Sequence, residues 1–339
     1  MKATIRNVAK LAGVAPSTVS HYLNQSAPLS STTAKNVERA IATLNYRVNL
    51  GARGLRQRKT LSIGLVIPNI TTPFFGEIAS VIENMFWEKG YQTLLCISER
   101  DVEREFLQVL NLASRQVDGL LVAYSSEQSK VFEAAKTLSI PTVFVDRAVS
   151  GQYSVATDNF YGGQLAARHL YELGHRRIGV LCGEIEIRNV AERLAGFQAE
   201  LAQRAIEIRT EHIVHGRQEL QLGLKVSQLF GEFGPTAIFA TNDIVAVGAW
   251  RTLIEAGYRL PEDMSVVGFD DIEISRYLVP PLTTVAQPTR EIGARAVKLL
   301  LQLIADRSGV ATPVSELVSP TLKIRGSTAL ARTSPVPAN

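Results

Sequence analysis

Between Pro16 and Asn24 the chain carries Ser17, Thr18, Ser20, His21 and Asn24, short polar side chains on a stretch whose Val19 and Leu23 recur at helical spacing. Hydroxyls, an amide and an imidazole on one short helix can exchange hydrogen bonds with base edges or phosphate oxygens. A second set stands much later, where apolar runs end: Pro73-Phe74-Phe75, Asp146-Arg147, Arg188 and Arg193, Thr241-Asn242-Asp243, Gly268-Phe269-Asp270-Asp271 and Gln287. Carboxylates and amides bind vicinal hydroxyls bidentately, a guanidinium adds donors, and a ring face covers apolar C–H surface. The second set therefore has the chemistry of a sugar site.

Serines and a threonine also serve as plain caps of a surface helix, so the surroundings decide. Residues 1–60 hold ten basic side chains against one acid, Glu38, whereas the rest of the 339-residue chain holds 26 basic and 31 acidic residues. The formal net charge of +4 thus conceals a strongly basic head on a mildly acidic body. That favours groove contact for the polar helix, and it favours a base or phosphate contact over metal ligation for His21, which has no neighbouring His or Cys.

The elements that would hold these groups are legible. Thr4 can cap a helix with Ile5, Val8, Ala9 and Ala12 on one face, and Gly13 suits the left-handed position after it. Pro16 fits the first turn of the next helix, and Ser31 can cap a third with Val37, Ala40, Ile41 and Leu44 inward. Helix, tight turn, polar-fronted helix and supporting helix form the helix-turn-helix plan, with Val19 and Leu23 in the head's own core. Thr4 and Pro16, which open the first two helices, are counted with the DNA-facing set.

From residue 61 onward apolar β-rich runs (61–67, 93–97, 119–123, 142–145, 178–181, 237–240, 265–269) alternate with amphipathic helices near 75–89, 103–116, 160–173, 190–204, 219–230, 243–256 and 288–306. This alternation predicts α/β architecture with parallel doubly wound sheets, and its size predicts two lobes with ligands outside the strands' carboxyl ends. Thr157-Asp158-Asn159 and Gln287 stand where the chain would cross between lobes.

The run Thr4-Ile5-Arg6-Asn7-Val8-Ala9-Lys10-Leu11-Ala12-Gly13-Val14, followed by Ser17-Thr18-Val19-Ser20-His21, resembles the headpiece of the lactose/galactose-repressor family of bacterial transcription regulators. The resemblance covers almost the whole chain. It implies an all-α helix-turn-helix headpiece (1–47), a hinge that becomes helical on DNA (48–60) and a two-lobed, periplasmic-binding-protein-like (type I) effector and dimerisation domain (61–326). Ala52-Arg53-x-Leu55 resembles the family's hinge segment, in which the leucine is a minor-groove wedge. An apolar lever beside Arg53, Arg56 and Arg58 has the physical means to unstack a base step. Gly51 and Gly54 depart from the alanine and serine common there. Each costs about 1 kcal/mol of helix propensity, which predicts a segment folded only on DNA.

By the same resemblance Phe74, Asp146, Arg193, Asn242, Asp270 and Gln287 match effector-contacting positions, with Arg188 ambiguous because the loop spacing differs. Asp243 and Asp271 have a simpler reading as helix caps, and Phe75 as core. Relatives often carry an aromatic just beyond the position of Gly216-Arg217-Gln218, and a polar residue there weakens a stacked nucleobase as effector. The expected partners are a pseudo-palindromic operator, a small effector of the sugar class and a second copy of the chain, with helices near 75–89 and 243–256 as candidate interfaces. A nucleobase corepressor, a sugar-transport binding protein and a carbohydrate-active enzyme are the alternatives.

No phosphate-binding loop, dinucleotide fingerprint, zinc-protease motif or nucleophile elbow occurs, so no catalytic residue, cofactor or metal is expected. His212 and His215 read as surface or strand residues. No apolar run spans a bilayer and no secretory signal opens the chain, which predicts a cytoplasmic protein. Residues 327–339 lack leucine heptads and are expected as a flexible tail on a dimer.

Overall fold

The computed structural model describes residues 3–24, 26–46, 59–123, 126, 129–230, 234–306 and 312–332. The chain divides into two compact units, residues 1–60 and residues 61–339.

In the first unit, helix α1 (Ile5–Ala12) begins with a capping box. The Thr4 hydroxyl accepts from the Asn7 amide and the Asn7 side chain accepts from the Thr4 amide. Gly13 ends the helix at φ +67°, a conformation an L side chain adopts only with strain. Helix α2 (Pro16–Asn24) follows, and α3 (Ser31–Thr43) is capped by Ser30 rather than Ser31, through the Thr33 amide. The register differs by one because Ser30 has the extended backbone an N-cap needs. Val8, Ala9, Ala12, Val19, Val37 and Ala40 form the buried core.

The second unit is built on two six-stranded sheets. The first has the order β11-β5-β4-β3-β1-β2, formed by β1 (Ser62–Ile67), β2 (Gln92–Ile97), β3 (Gly119–Val122), β4 (Thr142–Val145), β5 (Ser154–Thr157) and β11 (Ser315–Val318), all parallel. The second has the order β12-β10-β9-β8-β6-β7, formed by β6 (Ile178–Cys182), β7 (Ile213–His215), β8 (Ala237–Ala240), β9 (Ser265–Asp270), β10 (Thr283–Ala286) and β12 (Thr321–Lys323). Only β12 runs antiparallel. Each sheet carries an apolar cluster on both faces, the doubly wound arrangement that uninterrupted buried strands require.

Helices α4 (Pro73–Glu88), α5 (Val102–Ser114), α6 (Val131–Thr137) and α11 (Thr289–Ala305) accompany the first sheet. Helices α7 (Asn159–Glu172), α8 (Arg188–Ala202), α9 (Leu220–Gly223) and α10 (Asp243–Glu255) accompany the second. The helix expected over 219–230 is broken into α9 and a 3-10 turn, Val226–Leu229. Gly223 lies so close to α10 that a Cβ there would meet the Val245 carbonyl at 2.2 Å. Close docking, rather than a continuous helix, satisfies that segment. The chain crosses between lobes three times, after β5, after β10 and from β11 to β12. The last crossing was not anticipated.

The tail expected from residue 327 is also corrected. Ser327 is fully buried, its hydroxyl donating to the Val266 carbonyl and accepting from the Thr283 amide. His169 Nε2 lies 2.9 Å from Thr328 Oγ1, and His175 Nε2 lies 3.1 Å from the Ala329 carbonyl. Residues 327–332 are therefore part of the second lobe, and the remainder, 333–339, lies outside the described residues.

This anchoring carries an acid liability. Burial pushes His175 down to about 4 from an ordinary 6.5, although its bond to Ala329 pulls the other way. The native state thus takes up its proton later than the unfolded chain. The contribution is intact above about pH 6.5 and lost as the pH falls toward 4, about 3 kcal/mol in all. Melting curves from pH 7.5 to 4.5 should show wild type losing stability more steeply than His175→Gln. Parallel curves would refute this role.

Candidate functional site

On α2, Pro16, Ser17 and His21 are exposed, while Thr18 and Ser20 are half-buried. The His21 ring is steadied by Ser26, whose hydroxyl lies 2.9 Å from Nδ1. Thr4 is exposed with its hydroxyl used in the α1 cap. Its available group toward another molecule is therefore limited by that cap. The Asn24 side chain, Arg53, Leu55, Arg56 and the hinge helix expected around them lie outside the described residues.

The body contains a cleft where carboxyl ends of both sheets meet, with about 550 Å³ of empty space including its open mouth. Phe74, Asp146, Arg193, Asn242, Asp270 and Gln287 all line it. Phe74 sits in the first turn of α4 and packs edge-on against Phe75, which lines the cleft as well as the core. Asp146 and Asp270 take φ of +75° and +116° at the ends of β4 and β9. Such backbone costs about 1 kcal/mol for a non-glycine residue and marks places where the fold holds a side chain against its preference.

Arg193 organises the floor. Its Nη1 donates to the Thr241 carbonyl at 2.7 Å and lies 3.2 Å from Asp270 Oδ1, and the guanidinium stacks on Phe269 at 3.8 Å. Gln287 Nε2 donates to Asp270 Oδ1 at 2.7 Å. Burial raises Asp270 to about 6 against the pull of Arg193, and burial likewise raises Asp146 against the pull of Arg147 and Arg193. Asn242, not Asp243, is the N-cap of α10, its carbonyl oxygen accepting from the Val245 amide. Asp243 instead lies behind the cleft, accepting from the Thr284 and Ser275 hydroxyls and the Ile272 amide, and burial lifts it to about 7. Asp271 pairs with Arg325 and Arg276 and caps no helix.

Arg188 is not brought to the cleft. It is exposed and paired with Glu192 at 2.8 Å, and its neighbour Asn189 lines the cleft instead. Residues four apart share a helix face, so Arg193 selects Asn189. That spacing was the available signal. Asn189 is buried, donates to the Asp146 carbonyl at 3.2 Å, and leaves its Oδ1 without a hydrogen-bond partner. Arg147, beside Asp146 at the end of β4, lines the cleft as its strand-end place implies, and Arg100 and Gln218 line it too although neither was expected to face a ligand. Among the described residues no group of three or more His, Cys, Asp or Glu could hold a metal ion, and no helix is long and apolar enough to cross a membrane.

Residues 4–49 match the family described as bacterial regulatory proteins, lacI family, and residues 167–328 match the periplasmic binding protein-like domain. The HTH-type transcriptional repressor PurR of Haemophilus influenzae (strain PittEE) is 37% identical over 330 residues, 96% of this chain and 98% of its own. The chain belongs to the lacI family. PurR of Aliivibrio salmonicida is 36% identical over 310 residues, covering 90% of this chain and 93% of its own. A lac repressor dimer bound to operator and the anti-inducer ONPF superposes with a TM-score of 0.86 at 31% identity, covering 97% of this chain and 100% of the other. The regulator CelR in complex with cellobiose gives 0.72 at 29% identity, covering 96% and 100%. This regulator is thus a DNA-binding transcriptional repressor with a helix-turn-helix head and a cleft for a small-molecule effector.

Proposed function

We propose that the regulator binds a pseudo-palindromic operator as a homodimer, one α2 per half-site, and that a sugar or sugar derivative in the cleft controls this binding without being chemically changed. The cleft's polarity carries the effector reading. Two carboxylates, four amides and three guanidiniums line it, and Phe74 and Phe75 are its aromatic residues, which suits hydroxyl-rich ligands better than a base. The unpartnered Asn189 Oδ1 calls for a hydroxyl or N–H donor, because a buried acceptor left unmet costs about 1–3 kcal/mol.

Dimerisation is supported by large apolar side chains left exposed on both lobes. Trp87 on α4 is 71% exposed, Ile254 on α10 is 49% exposed and Val279 is 85% exposed. Light scattering should give about twice the 37.0 kDa chain mass. Effector and operator share one coupling free energy, so each changes the other's affinity by the same factor.

A thermal-shift panel of free sugars, sugar phosphates and nucleobases tests the effector reading, since a ligand of the folded state raises its melting temperature. A sugar should give the largest rise and lose it in Asn189→Ala. A panel answered by nucleobases alone overturns the sugar assignment. Selection from a randomised pseudo-palindromic duplex pool, with the effector present and absent, tests the operator. Recovery of no enriched sequence in either condition would sink that part.

A further inference from the structure

Four buried residues, with the nearly covered side chain of Asp270, close a hydrogen-bonded circuit that joins the cleft to the first crossing between lobes. The Thr157 hydroxyl, at the end of β5, donates to Gln287 Oε1 at 2.6 Å. Gln287 Nε2 donates to Asp270 Oδ1, which Arg193 Nη1 approaches to 3.2 Å. Arg193 Nε donates to Asn159 Oδ1 at 2.8 Å, and Asn159 Nδ2 returns to the Thr157 carbonyl at 3.1 Å. Thr157 and Asn159 are each 1% exposed, and neither lines the cleft. Gln287 belongs to the second crossing, after β10, so the circuit also ties two crossings together.

The polarity of the circuit has a chemical consequence. A hydroxyl donating to Oε1 fixes which end of the Gln287 amide faces Asp270, leaving its remaining N–H, not its carbonyl, for another acceptor. Asn159 fixes the Arg193 guanidinium in the same way, through Nε. Buried networks of this kind hold one arrangement because any rotation leaves a polar atom unmet.

We propose that Thr157 and Asn159 are positioning residues of the effector site, orienting Gln287 and Arg193 from the crossing so that whatever engages those groups is registered where the chain passes between the lobes. The inference rests on the cleft being the effector site. Its test uses no effector, so that a thermal-shift panel without a response would overturn that reading while leaving the circuit itself measurable.

Hydrogen–deuterium exchange on the full-length, ligand-free protein compares wild type, Thr157→Val and Thr157→Ser. Valine keeps the volume and removes the hydroxyl, whereas serine keeps the hydroxyl and removes the methyl. Segments 157–161 and 284–289 should exchange at least tenfold faster in Thr157→Val and near the wild-type rate in Thr157→Ser, with strands β1 and β3 unchanged. Gln287→Met breaks the circuit from the other end. It should speed the same two segments, and adding Thr157→Val to it should add nothing. Equal exchange in wild type and Thr157→Val, serine behaving like valine, or acceleration spread evenly over the protein would each overturn the proposal.

Discussion

Arg193→Met should destabilise the regulator by about 3–5 kcal/mol at pH 7.5 and abolish effector-induced stabilisation. The side chain is 4% exposed, and its guanidinium serves Asp270, the Thr241 carbonyl and Asn159 at once. Methionine keeps an unbranched apolar stem of similar length but removes the guanidinium that stacks on Phe269, so the loss is chiefly that of the cation and its contacts. Removing the cation leaves the Asp270 carboxylate buried without its main opposing charge and pushes its pKa above the present value of about 6. The sign follows from linkage. A carboxyl raised in the fold binds its proton more tightly there than in the unfolded chain, so its penalty appears as the pH rises and vanishes as the pH falls toward its unfolded value. The extra penalty in the variant is therefore largest at neutral pH, up to about 2 kcal/mol at pH 7.5, and gone near pH 5. The remainder, from the orphaned Thr241 and Asn159 oxygens, persists at both. Urea titrations at pH 7.5 and 5.0 check this, and a variant equally destabilised at both pH values would exclude the Asp270 part.

Most of this floor is legible in the sequence because charged and amide residues punctuate the ends of apolar runs. Asp146, Asn242 and Asp270 each stand at the end of an apolar run, and β1, β3, β4, β6, β8 and β9 are buried, mostly apolar segments. Five strands escaped for the converse reason: β5 and β10 are buried but written Ser-Val-Ala-Thr and Thr-Thr-Val-Ala, too polar to stand out, and the other three are short edge strands. β7, β11 and β12 are three or four residues long, and β11 reads as partly exposed Ser-Glu-Leu-Val, with no run to notice. Helix α6 is seven residues long and lacks a side-chain cap bond at its start, so neither period nor capping announced it.

Arg188 illustrates a different gap. Residue type nominated it, but a helix face is chosen by angle, and one residue is a turn of about 100°. Thr157 was placed correctly at a crossing, yet its hydroxyl meets Gln287 across 130 positions of sequence. Long-range pairing of this sort has no local signature. The head was legible for the opposite reason: its caps and turn, Thr4, Gly13 and Pro16, act within a few residues of themselves.

Gly196→Ala is expected to cost about 3 kcal/mol or more, lowering the melting temperature by roughly 10 °C, and to weaken effector binding although residue 196 does not line the cleft. Helices α7 and α8 pack backbone to backbone. A Cβ at Gly196 would stand 1.9 Å from the Phe160 carbonyl oxygen, and one at Gly163 would stand 2.1 Å from the Arg193 carbonyl oxygen. Neither obstacle is a flexible side chain, so the helices must separate by about 1 Å before the new atom reaches even the shortest contacts real Cβ atoms make. Since α8 carries Asn189 and Arg193, the displacement moves two cleft groups relative to Asp270 on β9. Gly76 supplies the control. It is also helical, but its nearest obstacle is the Ile70 carbonyl oxygen at an ordinary 3.6 Å. There the intrinsic preference for alanine operates alone, and Gly76→Ala should gain up to about 1 kcal/mol. Calorimetry on Gly196→Ala, Gly163→Ala and Gly76→Ala separates steric exclusion from propensity. A stabilised Gly196→Ala would mean the two helices have room to spare, and the close approach would then not be what holds Arg193 over the cleft.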